Sequence, residues 1–546
     1  MILNSLPADD LACDVCLVGT GPVGIAVALE CERLGLSVLA LEAGGEKEKR
    51  FRWPSVDELS NRKSHAPVHV TTRSAFGGTS WAWAGRCVAF DDIDFRDRAH
   101  VAHSGWPLTH EAVEPYYESA ARILNCQESV LRFGGDQTAD RSLAETLFLV
   151  SHQPKLAISY WDHFANSPSI TLALNSRVTA LNLGSDGNRV QSLTVVSGGR
   201  TVVLKPPRVV LAAGGLKTTQ LLLAAQRQWP HQFGGPDGAL GRYYMGHLAG
   251  SIASITLRDS QSAPLLPPEP SGGAARRLTI SATKQTSERL LNVAFWPNMP
   301  VFYDPSHENG VLSAALLAFA VPKLGDLLAG GFRRSFLGPA PQRFGAHARN
   351  ILTSPVQTAT GIGRLLWNRV LRRPGLGPLA QETGLGLYTL HYHAESEPNR
   401  ESCVSLSDRI DRDGLPQLKI NLLFGDNDVD SIVRAHAVLD QGLRSAGHGR
   451  IDYLDQPGER AQNVLRQARD GYHQLGTTRM GLDPKTSVVD KDCQIHDIDN
   501  LYVASSSVFP TGGHANPTLL ATALGVRLAV HLAHSIRRNS NSKIAI

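Results

Sequence analysis

The chain has 546 residues, 42% of them apolar and 19% charged, the balance of a globular enzyme with a large core rather than a disordered or fibrous chain. At roughly 100–200 residues per domain it holds two to four folding units, and a net charge of +4 is too small for its length to imply nucleic-acid binding. The seven cysteines are odd in number and irregularly spaced, which argues against a disulfide framework and for a reducing, cytoplasmic setting.

The first eleven residues carry Asp9 and Asp10 and no basic start, unlike a secretory leader. Cys13 and Cys16 form a C-x-x-C, but residues three apart on a strand point to opposite faces, a poor geometry for a dithiol. Residues 14–19, an apolar run closing on glycine, predict a buried parallel strand. Residues 25–34 predict a helix stopped by Gly35, and 37–41 a second strand ending at Glu42, which completes a β-α-β unit. A polar stretch follows, then Phe76-Gly-Gly-Thr-Ser80 and a Trp-rich segment. Further on come a helix over 110–124 and a hairpin of strands over 171–183 and 190–203, with Asp186-Gly187 near the turn. Residues 208–213 predict another buried strand, whose Gly214-Gly215 leads into a helix over 218–226.

Residues 252–420 are harder to read, because strand-like runs mix with Gly, Pro and Arg. Residues 323–373 hold nine Lys or Arg against one acid, Asp326. That pattern reads first as a solvated helical face, and second as a surface meeting an acidic partner, an anionic substrate or a membrane face. No run reaches the ~20 apolar residues of a membrane helix, and the longest candidate, 311–322, is too short. A helix over 428–446 and a buried strand over 500–504 come next, then a Gly-rich turn and a helix over 517–536. Nucleotide-domain elements at both ends thus enclose a different middle.

Gly19-Thr-Gly21-Pro-Val-Gly24 is a G-x-G-x-x-G between the first strand and helix. Gly19 permits the tight turn, Gly21 lets backbone approach a pyrophosphate, and Gly24 lets helix pack on strand. The pyrophosphate sits on free N–H groups at the helix start. Glu42 is placed to accept hydrogen bonds from a ribose. The strand ends at Ala213-Gly214 and at 500–513 are further glycine-rich turns, as expected where a long, bent cofactor lies through a domain. His391 and His393 are spaced for one face of a strand, where they line a substrate pocket or serve as structural histidines. A third metal ligand is not evident beside them, and no metal is expected.

Four blocks resemble the glucose-methanol-choline (GMC) oxidoreductase family: residues 19–42, 76–86, 208–223 and 471–532. The last contains Tyr472-His473-Gln-Leu-Gly476-Thr477-Thr478-Arg479-Met480 and, later, Phe509-Pro510-Thr-Gly-Gly-His514-Ala-Asn516-Pro517-Thr518. The nearest likeness is to the branch of pyranose oxidases, glycoside 3-oxidases and fructose dehydrogenase flavoproteins. It implies an α/β fold: a discontinuous FAD-binding, Rossmann-like domain (1–60, 170–255 and 480–546) with an inserted α+β substrate domain on an antiparallel sheet (61–169 and 256–479). It implies FAD as cofactor, with Gly77, Gly78, Thr79 and Trp83 near the isoalloxazine, Val178 by the adenine, and Ser505, Pro517 and Thr518 completing the site. It pairs a catalytic His473 with Asn516.

Where some relatives attach flavin through histidine, this chain has Ala82, so non-covalent FAD is expected. Lys217 stands where relatives often have an acid, and His514 where many have a small residue, within reach of substrate. The expected reaction is oxidation of a secondary alcohol of a sugar or glycoside, with His473 as general base and Asn516 bonding the substrate oxygen. Electrons then pass to O2, a quinone or a separate redox carrier. The alternatives are a non-sugar natural-product alcohol, a redox-neutral FAD lyase or a non-catalytic flavoprotein subunit.

Overall fold

The structure, a computed structural model, describes residues 1–7, 11–48, 56–126, 142–258, 273–300, 302–322, 337, 343–367 and 386–544. Six of the nine basic residues of the stretch 323–373 noted above lie outside them.

The first β-α-β unit is present, with strands Val15–Val18 and Val38–Leu41 flanking helix Pro22–Arg33. Every residue of the two strands is buried, as their unbroken apolar runs require. They sit centrally in a six-stranded parallel sheet whose order is Ile2–Leu3, Ile170–Ala173, Val38–Leu41, Val15–Val18, Val209–Leu211, Leu501–Val503. Val210 is in register with Leu17 on one side and Tyr502 on the other, so segments nearly 300 residues apart are neighbours. The closing helix, Thr518–Ile544, packs on helix Pro22–Arg33.

That helix corrects one expectation. Over Thr518–Arg538 it is long and apolar enough to cross a membrane, with a mean hydropathy of 1.5, although no such run was expected from the sequence. About 67% of it is buried, because it is a core helix of this domain.

The second unit is built on a seven-stranded antiparallel sheet in the order Gly449–Tyr453, His247–Leu257, Leu387–Glu395, Val293–Pro300, Gly273–Ile280, Leu143–Val150, Arg86–Val88. Strand His247–Leu257 belongs to this sheet, so the passage between the two units falls before His247. One face, carrying Leu248, Leu278, Phe295 and Tyr392, packs with Val429, Ile432 and Leu439 of helix Asp426–Ser445. Alternation sends His393, Ala294, Trp296 and Arg277 to the other face, towards the parallel-sheet unit.

Two elements differ from the sequence reading. The helix over 110–124 is broken into 3-10 turns His110–Ala112 and Glu114–Tyr116 before helix Tyr117–Ile123. Pro115 lacks an N–H and cannot bond the carbonyl four residues back, so the α-helical ladder begins only at Tyr117. The hairpin is a three-stranded meander of Ser176–Leu183, Val190–Ser197 and Arg200–Leu204. Gly198 and Gly199, at φ of 56° and 80°, make the second turn.

Candidate active site

The glycines of the first loop divide their work by sterics. A Cβ on Gly19 would lie 2.7 Å from the Ala212 carbonyl oxygen, and one on Gly24 would lie 2.2 Å from the Gly19 carbonyl oxygen. These two positions are closed by backbone. A Cβ on Gly21 would meet nothing of the chain nearer than 4.0 Å, so this position opens on empty space at the start of helix Pro22–Arg33, whose first residue is proline.

That space is a cavity with about 1450 Å³ free of protein atoms, solvent at its mouth included. Gly19, Gly21, Glu42, Gly78, Thr79 and Val178 line it from the N-terminal half of the sequence. Ala213, Gly214, His473, Ser505, Pro517 and Thr518 line it from further along. The buried Glu42 carboxylate accepts from the Thr20 backbone N–H (3.1 Å), the Thr20 hydroxyl (2.6 Å) and the Gly44 N–H (2.9 Å), and burial raises its pKa. Lys217 also lines the cavity, half-buried, its pKa pushed down to about 7 by desolvation and then by Arg177. One continuous space thus touches a helix N-terminus open at Gly21, a carboxylate at ribose distance in sequence, and the histidine of the C-terminal block. These residues fit an extended dinucleotide with a flavin.

Three residues expected near the cofactor act from behind the wall. Gly24 packs helix on strand, Gly77 takes φ of 88° with a would-be Cβ 3.0 Å from Ala157, and the Trp83 indole donates to the Pro154 carbonyl at 2.6 Å.

His473 and Asn516 are brought together, with the Asn516 Nδ2 3.5 Å from the His473 Nε2. The structure adds three partners that the sequence did not reveal. Asp470, three residues before His473, has one carboxylate oxygen 3.0 Å from the His473 Nδ1. It also accepts from the backbone N–H groups of His247 (2.6 Å), Tyr472 (2.9 Å) and His473 (3.2 Å). Its pKa is held down to about 2, since the charge on His473 and its hydrogen bond outweigh desolvation. The His247 Nδ1 lies 3.0 Å from the His473 Nδ1, and burial drives the His247 pKa to about 3.

The third partner is Arg277. It is 1% exposed, lies between the rings of Trp296 (4.2 Å) and Phe148 (4.5 Å), and donates from Nη2 to the Asn516 Oδ1 at 3.2 Å. That contact fixes the carboxamide with its oxygen on Arg277 and its N–H₂ towards His473. The spacing Asp470-x-x-His473 was available as a signal, whereas nothing in the sequence marked His247 or Arg277.

The other candidate histidines are placed less directly. His391 and His393 do share a strand face. His393 stacks on His247 with ring centroids 4.3 Å apart, and its Nδ1 donates to the His514 carbonyl at 2.7 Å. His391 packs on Trp296 at 4.7 Å, away from His473. The His514 ring is fully enclosed and its Nε2 lies 3.1 Å from Asp91. Its imidazole therefore faces Asp91 rather than the cavity, and His514 meets the site through its carbonyl. The nitrogens of His247, His393 and His473 lie within 4.8 Å of one another, and the proton-bearing nitrogens of the first two are committed to carbonyl oxygens.

Residues 398–525 match the GMC oxidoreductase family. Over 95% of both chains the protein is 25% identical to 2-methyl-1,2-propanediol dehydrogenase of Mycolicibacterium austroafricanum. It is 21% identical to the fructose dehydrogenase large subunit of Gluconobacter japonicus, over 97% of this chain and 99% of that one. Its fold is similar to that of pyridoxine 4-oxidase from Mesorbium loti, with a TM-score of 0.54 and 18% identity over 96% of this chain and 99% of that one. With its parallel nucleotide-binding sheet, its antiparallel substrate-domain sheet and a C-terminal block that matches the GMC oxidoreductases, the chain is a GMC-type oxidoreductase acting on CH–OH groups.

Proposed function

We propose that this enzyme oxidises a secondary alcohol of a sugar or glycoside, with His473 as general base and Asn516 as hydrogen-bond donor to the substrate oxygen. The observation that carries the reading is the 3.5 Å approach of the Asn516 Nδ2 to the His473 Nε2, beside the cavity that His473 lines. An alcohol oxygen seated between them loses its proton to the imidazole and keeps a donor from the carboxamide. FAD, when bound, supplies the hydride acceptor. Pro517 and Thr518 lead into the closing helix, whose positive end then favours negative charge on the cofactor. Relatives acting on a diol and on fructose support a polyhydroxylated substrate.

Ala82 has no nucleophilic nitrogen, so the flavin is held without a covalent bond. Acid precipitation then leaves the yellow colour in the supernatant, and colour in the pellet refutes this. Cys16, Cys31, Cys87, Cys126, Cys403 and Cys493 are free thiols, which supports a cytoplasmic setting, with O2, a quinone or a separate carrier taking the electrons.

The test is anaerobic flavin reduction by a panel of D-fructose, methyl β-D-glucoside and 2-methyl-1,2-propanediol. Bleaching by a sugar, lost in His473→Ala and Asn516→Ala, supports the reading. Bleaching by the diol alone moves the substrate class away from sugars. Bleaching retained within tenfold in His473→Ala removes that residue as base.

A further inference from the structure

We infer that Asp470 and His247 hold the His473 imidazole in the single tautomer that leaves Nε2 as the base, and that Asp470 stabilises the charge formed there when Nε2 takes a proton. The inference rests on His473 being the general base.

The argument begins at the far end of a hydrogen-bond chain. The His247 Nε2 lies 3.1 Å from the Gly513 carbonyl oxygen and 3.3 Å from that of Gly512. A carbonyl only accepts, so this nitrogen carries the proton. His247 is 1% exposed and burial favours its neutral form, so its Nδ1 bears a lone pair. The His473 Nδ1 therefore faces two acceptors, each at 3.0 Å: that lone pair and the Asp470 carboxylate. It must be the donor to both. A neutral imidazole has one N–H, so the His473 Nε2 is bare, and it is this atom that lies next to the Asn516 amide.

The reacting proton follows from this arrangement. It leaves the substrate hydroxyl and forms an N–H bond at the His473 Nε2, while the hydride leaves the same carbinol carbon for the flavin that the family reaction supplies. His473 is then an imidazolium whose Nδ1–H stays on Asp470. The carboxylate keeps its charge and takes no proton.

Asp470 is held for this role by three backbone N–H donors, two from its own turn and one from strand His247–Leu257. The turn at Gly471 is confined as well, since its φ is 114° and a Cβ there would lie 2.5 Å from the His65 ring. The ionisable groups gathered about His473 are Asp470, His247 and His393, with Glu395 acting on His247 and Arg277 on His393. Asp470 is the one whose charge contacts the ring. Asp470 and His247 are positioning residues, since neither touches the reacting atoms.

Two measurements on the FAD-loaded enzyme test this. In wild-type protein labelled with ¹⁵N-histidine, the signal missing from His473→Ala should report a protonated Nδ1 and a bare Nε2 at alkaline pH. The opposite tautomer overturns the inference without any dependence on the folding of an Asp470 variant. In steady state, with the best reductant of the panel above, Asp470→Asn should lower kcat by about 10²–10³-fold with KM within about threefold, because the amide supports the wrong tautomer as readily as the right one.

The sign of the pH effect is also fixed. The base works deprotonated, so activity rises with pH. Loss of the carboxylate destabilises the imidazolium, so the acidic limb of kcat/KM moves to lower pH in Asp470→Asn and returns towards wild type in Asp470→Glu. His247→Phe removes an uncharged acceptor, lowering kcat less and leaving the limb in place. An Asp470→Asn limb at the wild-type position overturns the inference, and if His473→Ala is inactive at the same time, the base reading stands without it. If His473→Ala remains active, the base reading itself fails.

Discussion

Asn516→Asp separates what this site does for catalysis from what it does for stability. Arg277 is enclosed, and its Nε and Nη1 have no hydrogen-bond partner among the described residues. Among the described residues, its one hydrogen bond to a side chain is the 3.2 Å donation to the Asn516 Oδ1. A carboxylate at 516 gives that guanidinium a counter-charge at the same distance. An enclosed charge gains on the order of 1–3 kcal/mol from a charged hydrogen-bond partner, which raises Tm by a few degrees.

Catalysis moves the other way. The proposed N–H donor to the substrate oxygen is gone, and losing such a donor costs about 2.7–4 kcal/mol, or 10²–10³ in rate. The new charge also repels the developing alkoxide, by up to ~4 kcal/mol at about 4 Å and an effective dielectric of ~20, part of which Arg277 neutralises. We expect anaerobic flavin reduction, followed by stopped flow, to fall at least ~10³-fold in a protein more heat-stable than wild type. A lower Tm with intact flavin content refutes the reading of Arg277 as an unpaired cation. Reduction within tenfold of wild type refutes the donor role of Asn516.

Gly21→Ala and Gly24→Ala should part company. The first leaves the fold intact but fills the cofactor cradle, so the apoprotein keeps its Tm while flavin binding measured by fluorescence titration weakens at least ~100-fold; the second forces backbone apart at 2.2 Å and should destabilise by about 2–4 kcal/mol in denaturant titration. Arg98→Met should cost about 3–5 kcal/mol, because it strands the Glu395 carboxylate, 0% exposed, which now receives Arg98 at 2.8 and 2.6 Å. Asp470 has a folded pKa depressed to about 2, so its contribution to stability is present above its ordinary value near 3.8 and is lost as pH falls from there towards 2. Asp470→Asn should flatten the fall of Tm over that window, and an unchanged acid profile counts against the charge assigned to this carboxylate.

The nucleotide-binding half was legible because its signals are local. Val15–Val18 and Val38–Leu41 are buried on both faces, and the glycines at 19, 21 and 24 stand together within six residues, where Gly24 clears the Gly19 carbonyl. His473 and Asn516 were legible through the motifs around them. The sheet unit was not, because its strands alternate a buried face with a second, polar face that is also enclosed. Gly273–Ile280 contains two adjacent arginines, and sequence does not tell Arg276, which bonds Glu145 at the surface, from Arg277, buried under Asn516. His247 meets His473 across 226 positions, through a pairing that no local pattern predicts.

The register of that sheet is itself part of the active site. Leu387–Glu395 presents Tyr392 to the helix-covered core and His393 to His247, while Val293–Pro300 presents Phe295 to the core and Trp296 beside Arg277. A slip of one residue would exchange every member of these pairs and place His393 and Trp296 against Val429 and Ile432, with Tyr392 under His473. The apolar core therefore selects the same register that the chemistry needs. Beyond the sheet, the Glu395 carboxylate ties Arg98 to the Gly513 N–H at 3.4 Å, and the His514 carbonyl rests on His393. The turn that delivers Asn516 is thus anchored to the sheet whose packing decides where Arg277 lies, so the two ends of the Arg277–Asn516 contact are set by one hydrophobic core.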